Sequence, residues 1–117
     1  QDFALYAKET LAGLKGTGIL MKKPHYETIH RVHLNAGISD MYDSPGQEGE
    51  IPLGYGWIVI DDSTGTISTA DGSAGTFYAT IIVYPGLDLA FVGVTSCGDG
   101  KEALNKAIHE ITGLEWE

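Results

Sequence analysis

The chain is predicted to be α+β: an antiparallel β-meander of about four strands packed with an N-terminal and a C-terminal helix. Three observations predict it. Apolar residues recur at helical spacing near both ends. Between them lie four runs rich in β-branched and aromatic residues, "YGWIVIDD", "TISTA", "TFYATIIVYP" and "DLAFVGVTSC". The joins "DSTG" and "PGLD" carry the Gly, Pro and Asp that tight turns require.

The first element rests on Phe3, Tyr6, Ala7, Thr10, Leu11 and Leu14, which form one helical stripe that Gly13 and Gly16 are placed to end. A shorter helix follows in "MKKPHYETIHRVH", with Pro24 in its first turn and Tyr26, Ile29, His30 and His33 on one side. These make a helical segment 1–33. From Leu34 to Leu53 the composition shifts to Gly, Ser, Asp, Pro and Glu without a period, which predicts a long surface loop, 34–53. The β-meander then occupies 54–97. In its third run Phe77, Ala79, Ile81 and Val83 point one way and Tyr78, Thr80, Ile82 and Tyr84 the other. Both faces are largely apolar, so the sheet needs cover on both sides. The C-terminal helix, 100–113, carries Ala103, Leu104, Ala107, Ile108 and Ile111 on one stripe and stops at Gly113.

At 117 residues the chain is expected to form a single domain, 1–117. Acidic residues outnumber basic ones 16 to 7, and the net charge of −9 repels phosphate backbones and anionic headgroups. Neither nucleic acid nor a membrane surface is an expected partner. The one cysteine, Cys97, cannot form an intramolecular disulfide, and no Cys/His set has zinc-finger spacing. No apolar run reaches the roughly 18 residues that span a bilayer. No cofactor is expected, and the compartment stays open between cytoplasmic and exported. The chain opens at Gln1, straight into helical periodicity, as a cut or processed chain or a fragment would.

The order "LGYGWIVIDD", then "ADGSAGTFYATIIVYPGLDLAFVGVTSCGDG", then a terminal helix resembles the closing third of the serine β-lactamase and penicillin-binding-protein superfamily, in its class C and esterase-like branch. The opening "DFALYAKETLAGLKGTGILMKKPHYETIHRVH" is similar to the segment just upstream in such proteins. The resemblance spans nearly the whole chain but only the back part of the family fold, and it implies a partial β-lactamase/transpeptidase-like architecture.

That family works by acyl transfer: a serine attacks a carbonyl, assisted by a lysine three residues on, by a Tyr-x-Asn or Ser-x-Asn element and by a Lys-x-Gly or His-x-Gly strand edge. None of Ser39, Ser44, Ser63, Ser68, Ser73 and Ser96 has a lysine three positions later, no Tyr-x-Asn occurs, and there is no Gly-x-Ser-x-Gly. The resemblance places Ala70-Asp71-Gly72 at the strand edge, with Ala70 where the family holds a cation or imidazole. It places Ser73 where one backbone N–H of the oxyanion hole arises. Such a donor is worth about 2.7–4 kcal/mol in the transition state, but it has no nucleophile to serve here. No catalytic residue is therefore assigned. Ala70, Asp71, Gly72 and Ser73 are candidates for a substrate edge, and Tyr55 and Trp57 are candidates to line a cleft with the 34–53 loop. The economical alternative makes Tyr55, Trp57, Phe77, Tyr78 and Phe91 core.

Other constellations are weaker. His25, His30 and His33 do not share one helical face with a carboxylate, so no metal is assigned. Cys97 near His109 suits a small buried thiol better than a nucleophile, and Asp61 and Asp62 are ordinary hairpin-turn residues. The chain is thus expected to be a non-catalytic remnant or fragment of a β-lactamase-like hydrolase, acting as a binding or assembly module. The alternative is the C-terminal portion of a larger serine hydrolase acting on esters, amides or β-lactams, with its nucleophile upstream of Gln1. The family's nucleophile-bearing helical region is not among these 117 residues. An apolar face without that cover predicts a homo-oligomer, with a small-molecule ligand as the other expected partner.

Overall fold

Helix α1 (Asp2–Lys15) forms where the first stripe predicts it. It ends because Gly16 turns into the left-handed region (φ 93°), which glycine enters without a Cβ clash, and its N–H donates to the Gly13 carbonyl. Helix α2 (Lys23–Ile29) starts on Pro24, whose missing N–H costs nothing in a first turn. It stops before His33, contrary to the expected shared side. The Ile29 carbonyl is taken by the Tyr55 N–H at 3.0 Å instead of by a further helical turn. The computed structural model describes residues 1–38, 48–62 and 65–114.

Six strands follow among the described residues: β1 (Leu34–Gly37), β2 (Glu50–Leu53), β3 (Ile58–Asp62), β4 (Gly65–Ser73), β5 (Tyr78–Tyr84) and β6 (Leu89–Thr95). They lie in sequence order in one antiparallel sheet, and helix α3 (Lys101–Thr112) closes the described chain. The class is α+β as expected, but the strand number is corrected from about four to six. The predicted loop 34–53 contains β1 and β2, which pair from Leu34↔Leu53 to Gly37↔Glu50; its central part, 39–47, lies outside the described residues. Four-residue strands place only two side chains on each face, too few to show an alternation, and Pro52 within β2 further disguises the run. Asp61 and Asp62 are likewise corrected from turn to strand, pairing with Thr66 and Gly65.

Paired residues on neighbouring strands share a face, so the register sorts the core into two layers. On one face Val59, Ile81 and Val83 are buried with Trp57 beneath Ala7 of α1, joined at the margin by Leu11, Leu14 and Ile29. On the other, Ile67, Ile82 and Tyr84 are buried beneath Ile108 of α3. The two-sided apolar character of β5 is therefore satisfied by one helix layer on each face. Leu104 of α3 packs over Gly93 of β6, where any side chain would meet it. Two expected core aromatics are corrected: Tyr55 and Phe77 are exposed, because both stand on turns outside the strands.

The Gly-Tyr-Gly-Trp stretch makes the β2–β3 hairpin. The Gly54 N–H donates to the Trp57 carbonyl at 2.8 Å, and the bare α-carbon of Gly54 lies against the carbonyls of Ile29 and Arg31. Gly56 supplies the positive φ (81°) that the turn demands. This hairpin locks the end of α2 onto the sheet and carries Tyr55 and Trp57 to the α1 side.

Candidate functional site

The four predicted edge residues are consecutive on β4, and strand alternation separates them. Ala70 and Gly72 pair with Ile81 and Ala79 on the α1 face; Asp71 and Ser73 pair with Thr80 and Tyr78 on the α3 face. The sequence offered one ledge, and the sheet divides it into two sites.

On the α1 face a cavity of about 370 Å³ is lined by Ala70 and Gly72 together with Tyr55 and Trp57. The expected edge and cleft candidates therefore meet. Phe3 and Tyr6 of α1 complete its wall; their helical stripe marks them as core, and only docking α1 beside the Gly54–Trp57 turn makes them cleft residues. The Tyr6 and Trp57 rings stack at 6.3 Å and 28°, while the Tyr55 ring stacks on His33 at 4.2 Å and 10°. Asp71 also borders this cavity, but its carboxylate is held from the α3 face, where the Tyr78 hydroxyl donates to Oδ2 at 2.9 Å. Among the described lining residues there is no Ser, Thr, Cys, Lys or His. The cleft is thus an aromatic surface suited to flat or apolar ligands; the one carboxylate on its border, Asp71, is engaged by the Tyr78 hydroxyl.

On the α3 face Ser73 and Asp71 border a wider hollow of about 850 Å³ with Lys101 and Asn105 of α3. The Ser73 hydroxyl donates a long bond, 3.4 Å, to the Gly98 carbonyl. Its surroundings include Asp71, Asp99 and Glu102. No histidine lines the hollow among the described residues, so no neutral base is positioned to activate the hydroxyl.

A third constellation was not anticipated. His30, at the C-terminus of α2, and Ser68, in the middle of β4, are both buried, and their Nδ1 and Oγ atoms lie 2.8 Å apart. The His30 ring also leans on Trp57, with centroids 4.6 Å apart and planes at 49°. Burial pushes the imidazole down to about 4, so it is neutral at pH 7. A serine–histidine contact suggests a nucleophile and its base, but two facts oppose that. A base this weak is poorly matched to neutral pH, and Ser68 is 1 % exposed, too enclosed for its oxygen to reach a carbonyl carbon. The pair is better suited to shaping the wall of the cavity that both residues line. Helical spacing marked His30 for an inward side, but its partner was invisible, since Ser68 has only strand alternation to place it.

The remaining candidates are dispersed. His33 is fixed through Nε2, which bonds the Thr28 carbonyl at 2.6 Å, and His25 is exposed. Among the described residues no three His, Cys, Asp or Glu groups are placed to hold a metal ion. Cys97 is exposed, correcting the expected buried thiol, and His109 stands in the last turn of α3, about 12 Å from its start by helical rise. Ser39, Ser44 and Ser63 lie outside the described residues. No helix among the described residues is long and apolar enough to cross a membrane. Comparison with protein-family models, with curated proteins and with solved structures finds no match to this chain.

Proposed function

We propose that this chain is a non-catalytic, β-lactamase-like binding module that holds a small flat ligand in the aromatic cleft at Ala70. The observation that carries the proposal is the composition of that cleft. Tyr55, Trp57, Ala70 and Gly72 converge with Phe3 and Tyr6 around about 370 Å³, and the ionisable side chains among the described lining residues are two phenols and the Asp71 carboxylate, which the Tyr78 hydroxyl engages. Where the resemblance expects a cation or imidazole, Ala70 presents a methyl group. Ligand affinity would come from ring stacking and apolar burial, roughly 25 cal/mol for each Å² removed from water. The experiment is incubation with a chromogenic cephalosporin and with 4-nitrophenyl acetate, followed by intact mass measurement. No turnover above buffer and no acyl adduct are expected; turnover that Ser73→Ala or Ser68→Ala abolishes would reject the proposal.

Association belongs to the same proposal. Both sheet faces have a helix layer, and of the exposed large apolar side chains, which include Ile111, Leu34, Val94 and Leu5, the adjacent Ile19 and Leu20 on the α1–α2 connection are the most exposed, at 91 % and 75 %. Two adjacent large apolar side chains held this far into solvent fit a contact with another copy of the chain. The same exposure favours a second reading, in which a nucleophile-bearing region upstream of Gln1 in a larger serine hydrolase covers them. A Ser-x-x-Lys upstream in the same reading frame would support that second reading.

A further inference from the structure

We propose a second ligand site, separate from the aromatic cleft: the cavity between α2 and the β3–β4 strands takes a small monocarboxylate with a compact apolar body, its carboxylate on Arg31. The cavity holds about 390 Å³, within the range of small-molecule sites. Its floor is apolar, with Leu14, Val32 and Val59, and the His30–Ser68 pair forms one wall. That wall is polar but uncharged: the imidazole is neutral and its Nδ1 already engaged by the serine. A ligand's ionised group is therefore excluded from depth, where no counter-charge would meet it, and stays at the rim.

The rim decides the sign of that group. Asp61, Glu27 and Arg31 all line it, and all three are exposed. Asp61 Oδ1 is already engaged, accepting from Thr66 Oγ1 at 2.7 Å. Glu27 lies 3.8 Å from Lys23 Nζ. Among the described residues three ion pairs form, Lys15–Asp88, Lys23–Glu27 and Lys106–Glu102, and Arg31 enters none of them. Among the described residues Asp61 thus has a hydroxyl partner on one oxygen and Glu27 a distant ammonium, whereas the Arg31 guanidinium enters no ion pair. A guanidinium offers two parallel N–H donors, matched to one carboxylate. The protein's charge of −9 works against anions at long range, but that field is screened beyond about 8 Å at physiological salt, so the rim decides: a carboxylate on Arg31 gains two N–H donors, against the opposing charges of Asp61 and Glu27.

The test uses three probes on one carbon skeleton, 4-methylpentanoate, 4-methylpentylamine and 4-methylpentan-1-ol, titrated at millimolar concentrations and followed by NMR shifts of the His30 ring and the Thr66 and Ser68 amides. Expected is saturable movement of those signals by the carboxylate, with an affinity at least about tenfold above the alcohol and the amine. Arg31→Gln, at an exposed position, lowers the carboxylate to the level of the alcohol. Any of three results overturns the proposal: no movement of the three signals, an amine bound as tightly as the carboxylate, or Arg31→Gln binding unchanged. Of these signals the His30 ring alone touches a cleft residue, Trp57, so the Thr66 and Ser68 amides, which line only this cavity, separate the two sites; their failure to move leaves the cleft proposal standing.

Discussion

His30 Nδ1 and Ser68 Oγ meet at 2.8 Å across 38 positions of sequence, tying the end of α2 to the centre of β4 inside the protein. The contact explains why a polar pair is tolerated beneath Trp57: each group satisfies the other, and among the described residues no buried side-chain nitrogen or oxygen is left without a partner.

That burial makes stability depend on pH. His30 titrates near its ordinary 6.5 in the unfolded chain and at about 4 in the folded one, so between these values the unfolded state binds a proton that the folded state refuses. Above 6.5 both states are neutral and the pair costs nothing; as pH falls towards 4 the protein loses stability on the order of 2 kcal/mol, allowing for partial solvent screening. Urea midpoints measured from pH 7.5 to 4 should fall more steeply for the native chain than for His30→Asn, whose amide keeps a partner for Ser68. Equal slopes would remove His30 as the cause.

Gly13 of α1 is required by a ring. An added Cβ there would run into the Tyr26 side chain, which is buried and rigid. Gly→Ala within a helix ordinarily stabilises by about 1 kcal/mol; here overpacking of about 1–3 kcal/mol opposes it. Gly13→Ala is therefore expected to lower the thermal midpoint, and a raised midpoint would show that Tyr26 moves aside freely.

Glu9 organises the connection that exposes Ile19 and Leu20. Its Oε1 accepts from the Ile19 and Leu20 amides at 2.7 and 2.8 Å and from the Tyr26 hydroxyl at 2.7 Å. The bond from the Leu20 amide, then that from Tyr26, holds the carboxyl below its usual range, while burial with Glu9 beside it pushes Tyr26 up to about 12. The clamp is complete above the ordinary carboxyl range and released as pH falls through the depressed folded value. Glu9→Ala should speed amide hydrogen exchange at Ile19 and Leu20 by about tenfold or more at neutral pH. Unchanged exchange would mean the connection is ordered by something else.

Association through Ile19 and Leu20 predicts a mass above the monomer by light scattering at micromolar concentration. Ile19→Ser with Leu20→Ser, at positions with no packing to lose, should return the chain to monomer without changing its thermal midpoint at low concentration. A native chain that is already monomeric contradicts the proposal.

Replacing the missing group is the sharpest check on the cleft. Ala70→His restores the residue type that the resemblance expects on this strand edge, yet with no Ser, Thr or Cys among the described residues of the cavity wall it is expected to yield no hydrolysis of 4-nitrophenyl acetate beyond free imidazole at the same concentration. Saturable turnover by this variant would show that a nucleophile lies within reach after all.

Residue order alone determined the local elements that are long enough to repeat. The α1 and α3 stripes, the strong runs of β3 to β6 and the "PGLD" turn could be located because each spans several periods or needs special backbone angles; Asp88, at φ 51°, is the residue that turn bends through. Ala70 to Ser73 could be placed on one strand, whereas Tyr55 and Trp57 were expected beside the 34–53 loop and instead meet Ala70 and Gly72. What only the tertiary structure decided was partnership. Strands β1 and β2 exist through pairing rather than pattern, since four residues hold too little alternation to announce a strand. Pleating sends Ala70 and Asp71 to opposite faces, and which face becomes a cleft depends on where α1 lands. His30 found Ser68, and Glu9 found two amides and a phenol, through contacts made at separations of 10 to 38 positions. No local period encodes such meetings, because their energy is realised only when water has already been expelled from between the elements.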